Sequence, residues 1–144
     1  NVCYELNKEK FFKNKDIKIN FFEKINFNMR YDYVHISDSL QYILDWKRIL
    51  IKICKKKPKF IILNNLTAGD FKTYYTQQNF YKDKLVYIFF NFNEIKKILK
   101  NYEVAHESLF LNKINNEYVE YPQKNFKNKD KLGFPKTVVF KLNV

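Results

Sequence analysis

Polar side chains that could do chemistry gather at the ends of three apolar runs. His35, Ser37 and Asp38 close the run "YDYVHISD". Asn64 and Asn65 close "KFIILNN", and Glu5 closes "NVCYE". An imidazole and a carboxylate three residues apart are the groups that take a proton from an attacking hydroxyl. A serine hydroxyl and two primary amides can hydrogen-bond a neutral ligand. An acid at the end of a strand can accept both hydroxyl protons of a ribose. Each residue also has an ordinary role: Ser37 and Asp38 as helix caps, His35 as a hydrogen-bonded core residue, Asn64 and Asn65 as turn formers, Glu5 as a solvated acid.

The surrounding pattern predicts the elements that must hold these groups. Residues 31–37 read as a mostly apolar strand. Asp38 followed by Gln41 fits a capping box, opening a helix whose apolar face carries Leu40, Ile43, Leu44, Leu50, Ile51 and Cys54. Lys55, Lys56 and Lys57 suit the last turn of that helix, and Pro58 stops it. The continuous apolar run at 59–66 predicts a strand covered on both faces, as in parallel sheets. Residues 67–84 read as a long polar loop placed as a lid. A strand over 85–90, a short amphipathic helix over 91–101, a strand over 102–111, a turn-rich insertion over 114–133 and a closing strand over 137–144 follow. Two further strands are expected at 1–5 and 17–25. The alternation implies one domain, residues 1–144, with an open α/β sheet. In such sheets ligands sit beyond the carboxyl ends of the strands, where Glu5, His35 to Asp38, Asn64 and Asn65 fall.

Composition narrows the field. The 144 residues are 46% hydrophobic and 19% aromatic, ample for a core, and the net charge is +12. Of the 27 basic residues only Arg30 and Arg48 are arginine. Bidentate readout of bases and phosphates leans on Arg, so a specific nucleic-acid partner is not expected. Attraction to anionic surfaces or sugars is compatible with this charge. No run is long enough to span a bilayer and no leader pattern is present. Cys3 and Cys54 match no metal spacing and read as buried free thiols, which fits a reducing, cytoplasmic setting. No P-loop, nucleophile elbow, HExxH or paired-cysteine motif occurs, so no metal site is expected.

Taken in order, "YDYVHISDSLQYILDW", "KKPKFIILNNLTAGD", "TYYTQQNF", "VYIFFNFNEI" and "NYEV" resemble a bacterial family of S-adenosylmethionine-dependent methyltransferases associated with surface-polysaccharide synthesis. The resemblance spans roughly residues 1–142 and is most specific over 31–91. It implies an incomplete Rossmann-like class I methyltransferase sheet, mostly parallel, with a C-terminal antiparallel hairpin. It further implies S-adenosylmethionine as cofactor, with Glu5 on its ribose and Ser37 beside its methionine part. His35 and Asp38 would be candidate bases, and Asn64, Asn65, Tyr75, Thr76 and Gln78 would face a small-molecule or saccharide acceptor. The glycine-rich turn after the family's first strand has no counterpart. The only glycines are Gly69 and Gly133. The chain therefore reads as the C-terminal portion of a methyltransferase that needs an upstream segment to complete the cofactor site. The competing expectation from another class is a non-catalytic basic module that binds an anionic polymer or a partner protein.

Overall fold

A computed structural model describes residues 25–111, 113, 114, 117, 118, 120 and 123–143. The strand expected at 1–5 and all but Ile25 of the strand expected at 17–25, together with Cys3 and Glu5, lie outside the described residues. In chain order the elements are β1 (Tyr33–Ser37), a 3-10 turn (Leu40–Tyr42), α1 (Trp46–Lys55), β2 (Phe60–Leu66), β3 (Ala68–Gly69), β4 (Tyr74–Phe80) and β5 (Asp83–Asn91). There follow α2 (Phe92–Ile98), β6 (Tyr102–Leu109), the short β7 (Lys113–Ile114) and β8 (Glu117–Tyr118), a second 3-10 turn (Asn128–Asp130) and β9 (Lys136–Leu142).

The main sheet has the order β1-β2-β9-β6, and a second sheet has the order β3-β5-β4. β1 runs parallel to β2, with Ser37 opposite Asn64 at the common end. β9 lies between β2 and β6 and is antiparallel to both. The expected mostly parallel, Rossmann-like sheet is therefore corrected. Among the described residues, the β2–β9, β4–β5, β6–β9 and β7–β8 pairings are antiparallel, and only β1–β2 and β3–β5 are parallel. Parallel neighbours require a long crossover. The stretch from β1 through α1 to β2 supplies one, whereas the chain beyond Leu66 folds into a hairpin and an antiparallel return. The expected antiparallel pair at the C-terminus is present as β6 and β9.

The expected helix from Ser37 onward is also corrected. Asp38 takes φ +48°, a left-handed conformation that cannot begin a helix, and regular α-helix starts only at Trp46. The buried stripe of α1 is Trp46, Leu50 and Ile53, at i, i+4 and i+7, whereas Leu44 and Ile51 are exposed. These three side chains join Ile61 and Leu63 of β2, Val138 and Phe140 of β9 and Ile95 of α2 in one core cluster. The shorter α2 begins with Asn91, whose side chain accepts the Glu94 backbone N–H at 3.1 Å, a regular N-cap. Lys47 of α1 pairs with Glu94 of α2 at 2.8 Å. Both helices cover the Ile61/Phe140 side of the main sheet. On its other side Phe60, Ile62 and Val139 are only half-buried, so β2 is not enclosed on both faces by the described residues as expected.

Residues 67–84 are not a lid. Tyr74–Phe80 forms β4, paired residue for residue with β5 from Tyr74↔Phe89 to Phe80↔Asp83. The aromatic and threonine content of "YYTQQNF" favours the pleated conformation, and an ordered partner strand outweighs its polarity. Among the described residues no helix is long and apolar enough to cross a membrane.

Trp46 is the only tryptophan and is fully buried. Its fluorescence will report unfolding in urea. Phe140→Ala should lower stability by about 3–5 kcal/mol, as expected for emptying a packed aromatic site. Val139→Ala, on the half-buried side of the same strand, should lose no more than about 2 kcal/mol. Equal losses at the two positions would mean that the helix layer is misplaced.

Candidate functional site

The shared end of β1 and β2 is built by two left-handed polar residues. Asp38 has φ +48° and Asn65 has φ +52°, so both strands break at the same level. Asp and Asn tolerate this conformation better than other residues with a Cβ. In the pairing of β2 with β9, Leu63 faces Val138 and Leu66 faces Lys136, so Asn64 and Asn65 together oppose the single residue Thr137. That is a β-bulge, and it re-aims consecutive side chains.

The polar groups consequently separate into two linked clusters. On the half-covered side of the sheet, Asn64 Nδ2 donates to Ser37 Oγ at 3.2 Å, and the Thr137 hydroxyl donates to Asn64 Oδ1. On the helix side, Asn65 Nδ2 donates to Asp38 Oδ1 at 2.7 Å, and Gln41 Nε2 donates to the same oxygen at 2.6 Å. Gln41 and Asn65 are buried beneath the 3-10 turn. The Asp38 backbone N–H donates to the Asn64 carbonyl at 3.1 Å, which stitches the two strand ends together.

The 3-10 turn then leads from this rim to a second feature. Tyr42 donates its hydroxyl to Gln78 Oε1 at 3.0 Å and meets the Tyr87 ring edge-on, with centroids 5.2 Å apart. Gln78 and Tyr87 line an open groove of about 820 Å³ between the β4–β5 hairpin and residues 123–126. Amide side chains (Gln77, Gln78, Asn79, Gln123, Asn125) and aromatic rings (Tyr87, Phe89, Phe126) share its walls. Tyr74 anchors the far wall. Its ring stacks on Phe89 at 4.9 Å, and its hydroxyl donates to the Asp130 carbonyl at 2.7 Å while accepting from Gln123 Nε2 at 3.0 Å. Gln123 Oε1 in turn accepts the Leu132 backbone N–H at 2.8 Å. Burial, aided by the Asp130 carboxylate, pushes the Tyr74 hydroxyl up to about 12, with the Gln123 bond acting in the opposite direction.

The residues singled out by sequence thus meet different fates. Ser37, Asp38, Asn64 and Asn65 come together at the rim, and Thr76 and Gln78 line the groove. Tyr75 does not join them. It points to the opposite face of β4, is 55% exposed and lies against the cleft beside Leu44, Trp46 and Arg48. His35 is exposed rather than a core residue and lines a cleft of about 400 Å³ at the β1 edge with Phe27, Tyr33 and Lys56. The Asp38 carboxylate is turned to the helix side, so His35 and Asp38 form no acid–base pair. Glu5 is outside the described residues. Cys54 is free and half-buried, and desolvation raises its thiol to about 11, so it stays protonated near neutrality. Among the described residues no group of three His, Cys, Asp or Glu side chains could hold a metal ion. Gln41, Thr137, Tyr87, Gln123 and Phe126 were missed. Gln41 carried a local signal in its spacing from Asp38, and Tyr87 becomes legible only once it is the cross-strand partner of Thr76. The register that brings Thr137 to Asn64, and the fold-back of residues 123–132, leave no trace in spacing.

No protein-family model matches this chain, and no curated protein matches it in sequence.

Two outcomes test the geometry. Asn65→Ala should destabilise the fold by about 2–4 kcal/mol, because it leaves Asp38 short of a donor and puts a Cβ without a polar group into a left-handed turn. Asn65→Gly should lose less, and a reversed ranking would refute the strain argument. Tyr74 adds an alkaline limb. An unfolded tyrosine ionises near pH 10, whereas folded Tyr74 holds its proton to about 12. Between those values the unfolded chain binds fewer protons, so stability must fall as pH rises. Tyr102, also raised to about 12 by burial, contributes to the same fall. Tyr74→Phe should make the decline shallower, read from urea midpoints taken from about pH 9 to pH 11.

Proposed function

We propose that the chain is the acceptor-side part of an S-adenosylmethionine-dependent methyltransferase whose methyl acceptor is a hydroxyl of a saccharide. The observation that carries this reading is the polar rim at the common end of β1 and β2, joined through Tyr42 to an amide-lined and aromatic-lined groove. In open α/β sheets ligands lie beyond the carboxyl ends of parallel strands, and β1–β2 is the one parallel pair among the described strands of the main sheet. Neutral amides match the donors and acceptors of sugar hydroxyls without demanding charge, and ring faces cover the C–H surfaces of a pyranose.

The residues present fit the cofactor in part. Ser37 and Asn64 offer a hydroxyl and an amide at the rim, and Glu5 is the residue proposed for the ribose. The cofactor supplies a methyl group activated by a sulfonium, so the protein's task is mainly proximity and orientation. Amides and rings of the groove hold the acceptor and exclude water. Asp38, on the side of the rim from which the turn runs to the groove, is the proposed acceptor of the hydroxyl proton. Gln41 and Asn65 fix its carboxylate in one orientation. His35 lies apart from this route and is assigned no role in it. The free thiol of Cys54 fits a cytoplasmic location.

Calorimetry of S-adenosylmethionine against the full-length protein tests the reading. Binding should weaken by roughly 10-fold to 100-fold in Glu5→Ala, where a charged acceptor is lost, and by roughly 2-fold to 10-fold in Ser37→Ala. Asp38→Asn should leave binding within about twofold and abolish transfer of labelled methyl to a saccharide acceptor. Heat from polyanions with a steep salt dependence, and none from S-adenosylmethionine, would establish the basic-module reading instead.

A further inference from the structure

The β4–β5 hairpin ends in an apolar point that the groove does not use. Phe80 pairs with Asp83, so the turn is the two residues Tyr81 and Lys82. Tyr81 is 94% exposed, and its ring stands edge-on to Phe80 with centroids 4.9 Å apart. Phe80 is 52% exposed, and the exposed Leu85 shares its side of the hairpin, opposite Gln78. Single exposed apolar residues are ordinary, but two rings in contact at a turn, with a third apolar residue on the same side of the hairpin, point to an interaction surface.

The backbone makes the choice of residue more pointed. Tyr81 has φ +53°, a position in two-residue hairpin turns normally given to Gly, Asn or Asp. An aromatic residue is strained there, and its side chain gains no burial within the fold to offset that strain. Two lysines flank the tip: Lys82 and Lys84 are exposed beside it, with Asp83 between them. Lys124 lines the groove together with Asn79, the residue before Phe80.

We propose that the tip inserts Phe80 and Tyr81 into the interface of an anionic phospholipid membrane, with the flanking lysines on the headgroups. Aromatic rings with a polar end favour the interfacial layer, and lysines near an anionic leaflet each add attraction. A convex point suits a deformable bilayer. It offers no groove in which a single-stranded nucleic acid could track its backbone. A second copy is disfavoured because each chain carries a net charge of +12, so like-charged tips would repel. This inference is independent of methyl transfer.

Co-sedimentation of the full chain with phosphatidylcholine vesicles, with and without about one third phosphatidylglycerol, provides the test. The wild type should bind the anionic vesicles and not the neutral ones. Tyr81→Asn should weaken binding at least about tenfold, by removing the ring. Because asparagine suits the left-handed position, this variant should unfold at or above the wild-type temperature, so a loss of binding cannot be ascribed to misfolding. Lys82→Ser with Lys84→Ser should weaken binding by about tenfold or more and leave the midpoint unchanged. Wild-type binding by Tyr81→Asn, equal binding to neutral vesicles, or no binding to vesicles at all would each overturn the proposal. The last result together with tight, Tyr81-dependent binding of single-stranded DNA would place a nucleic acid at the tip instead.

Discussion

One segment of ten residues belongs to both sheets, and the rest of the molecule is arranged around that constraint. Residues 60–66 run as β2 beside β1 and β9, and residues 68–69 continue as β3 beside β5. Thr67 is the joint. It is fully buried, its hydroxyl donates to the Ile88 carbonyl at 2.7 Å, and its own carbonyl accepts the Phe90 N–H at 2.8 Å. A buried joint with unpaired backbone would be costly, so these bonds allow the chain to leave one sheet and enter the other without exposing a loop. The bulge at Asn64 and Asn65 lies immediately upstream. It turns the strand toward β5 and, in the same move, sends one amide to Ser37 and the next to Asp38. The polar rim and the junction between sheets are therefore two consequences of a single irregularity.

The core obeys the same economy. Gln41, Asn65, Thr67 and Gln123 are buried polar residues, and the side chains of all four are hydrogen-bonded. They occupy the places where the chain changes direction: after β1, at the bulge in β2, between the sheets and at the fold-back of residues 123–132. Among the described residues the exception is Trp46 Nε1, a buried donor without a partner. Its ring packs edge-on against Phe90 at 4.9 Å, which joins α1 to the second sheet. Burying an aromatic ring contributes about 1.5–3 kcal/mol, enough to offset the loss of about 1–3 kcal/mol at an orphaned donor.

Legibility in the sequence followed the range of the forces involved. β2, β5, α2 and β9 were visible because their apolar periods reflect burial of each element's own side chains. Pro58 was visible because it acts on the next few residues. The start of α1 was misjudged because Asp38 and Gln41 do bond each other, side chain to side chain, but around a left-handed Asp38 rather than a helix end. β4 was misjudged because its polarity matches a loop, and only the partner strand makes it a strand. Ser37 and Asn64 were correctly placed together because both end apolar runs joined by one helix-sized crossover. Tyr75 was misplaced for a simpler reason. Once residues 74–80 form a strand, successive residues point to opposite faces, and Tyr75 turns toward Trp46 and Arg48, away from Thr76.

That alternation has a further consequence for how the hairpin works. Tyr74, Thr76, Gln78 and Phe80 lie on one face of β4, with Phe89, Tyr87, Leu85 and Asp83 opposite them. Read outward, the face passes from an anchored aromatic wall, through hydroxyl and amide, to an apolar tip. The register that orders this gradient is set by the turn, because a hairpin's loop length fixes which residues pair. A slip of one residue would exchange Gln78 for Gln77 and Phe80 for Asn79, breaking the contact with Tyr42 and erasing the apolar point together. The groove and the tip are therefore not separable features that happen to share a hairpin. A strained tyrosine turn that holds the register also holds the amide that Tyr42 reaches, so whatever the tip touches is mechanically continuous with the wall of the groove.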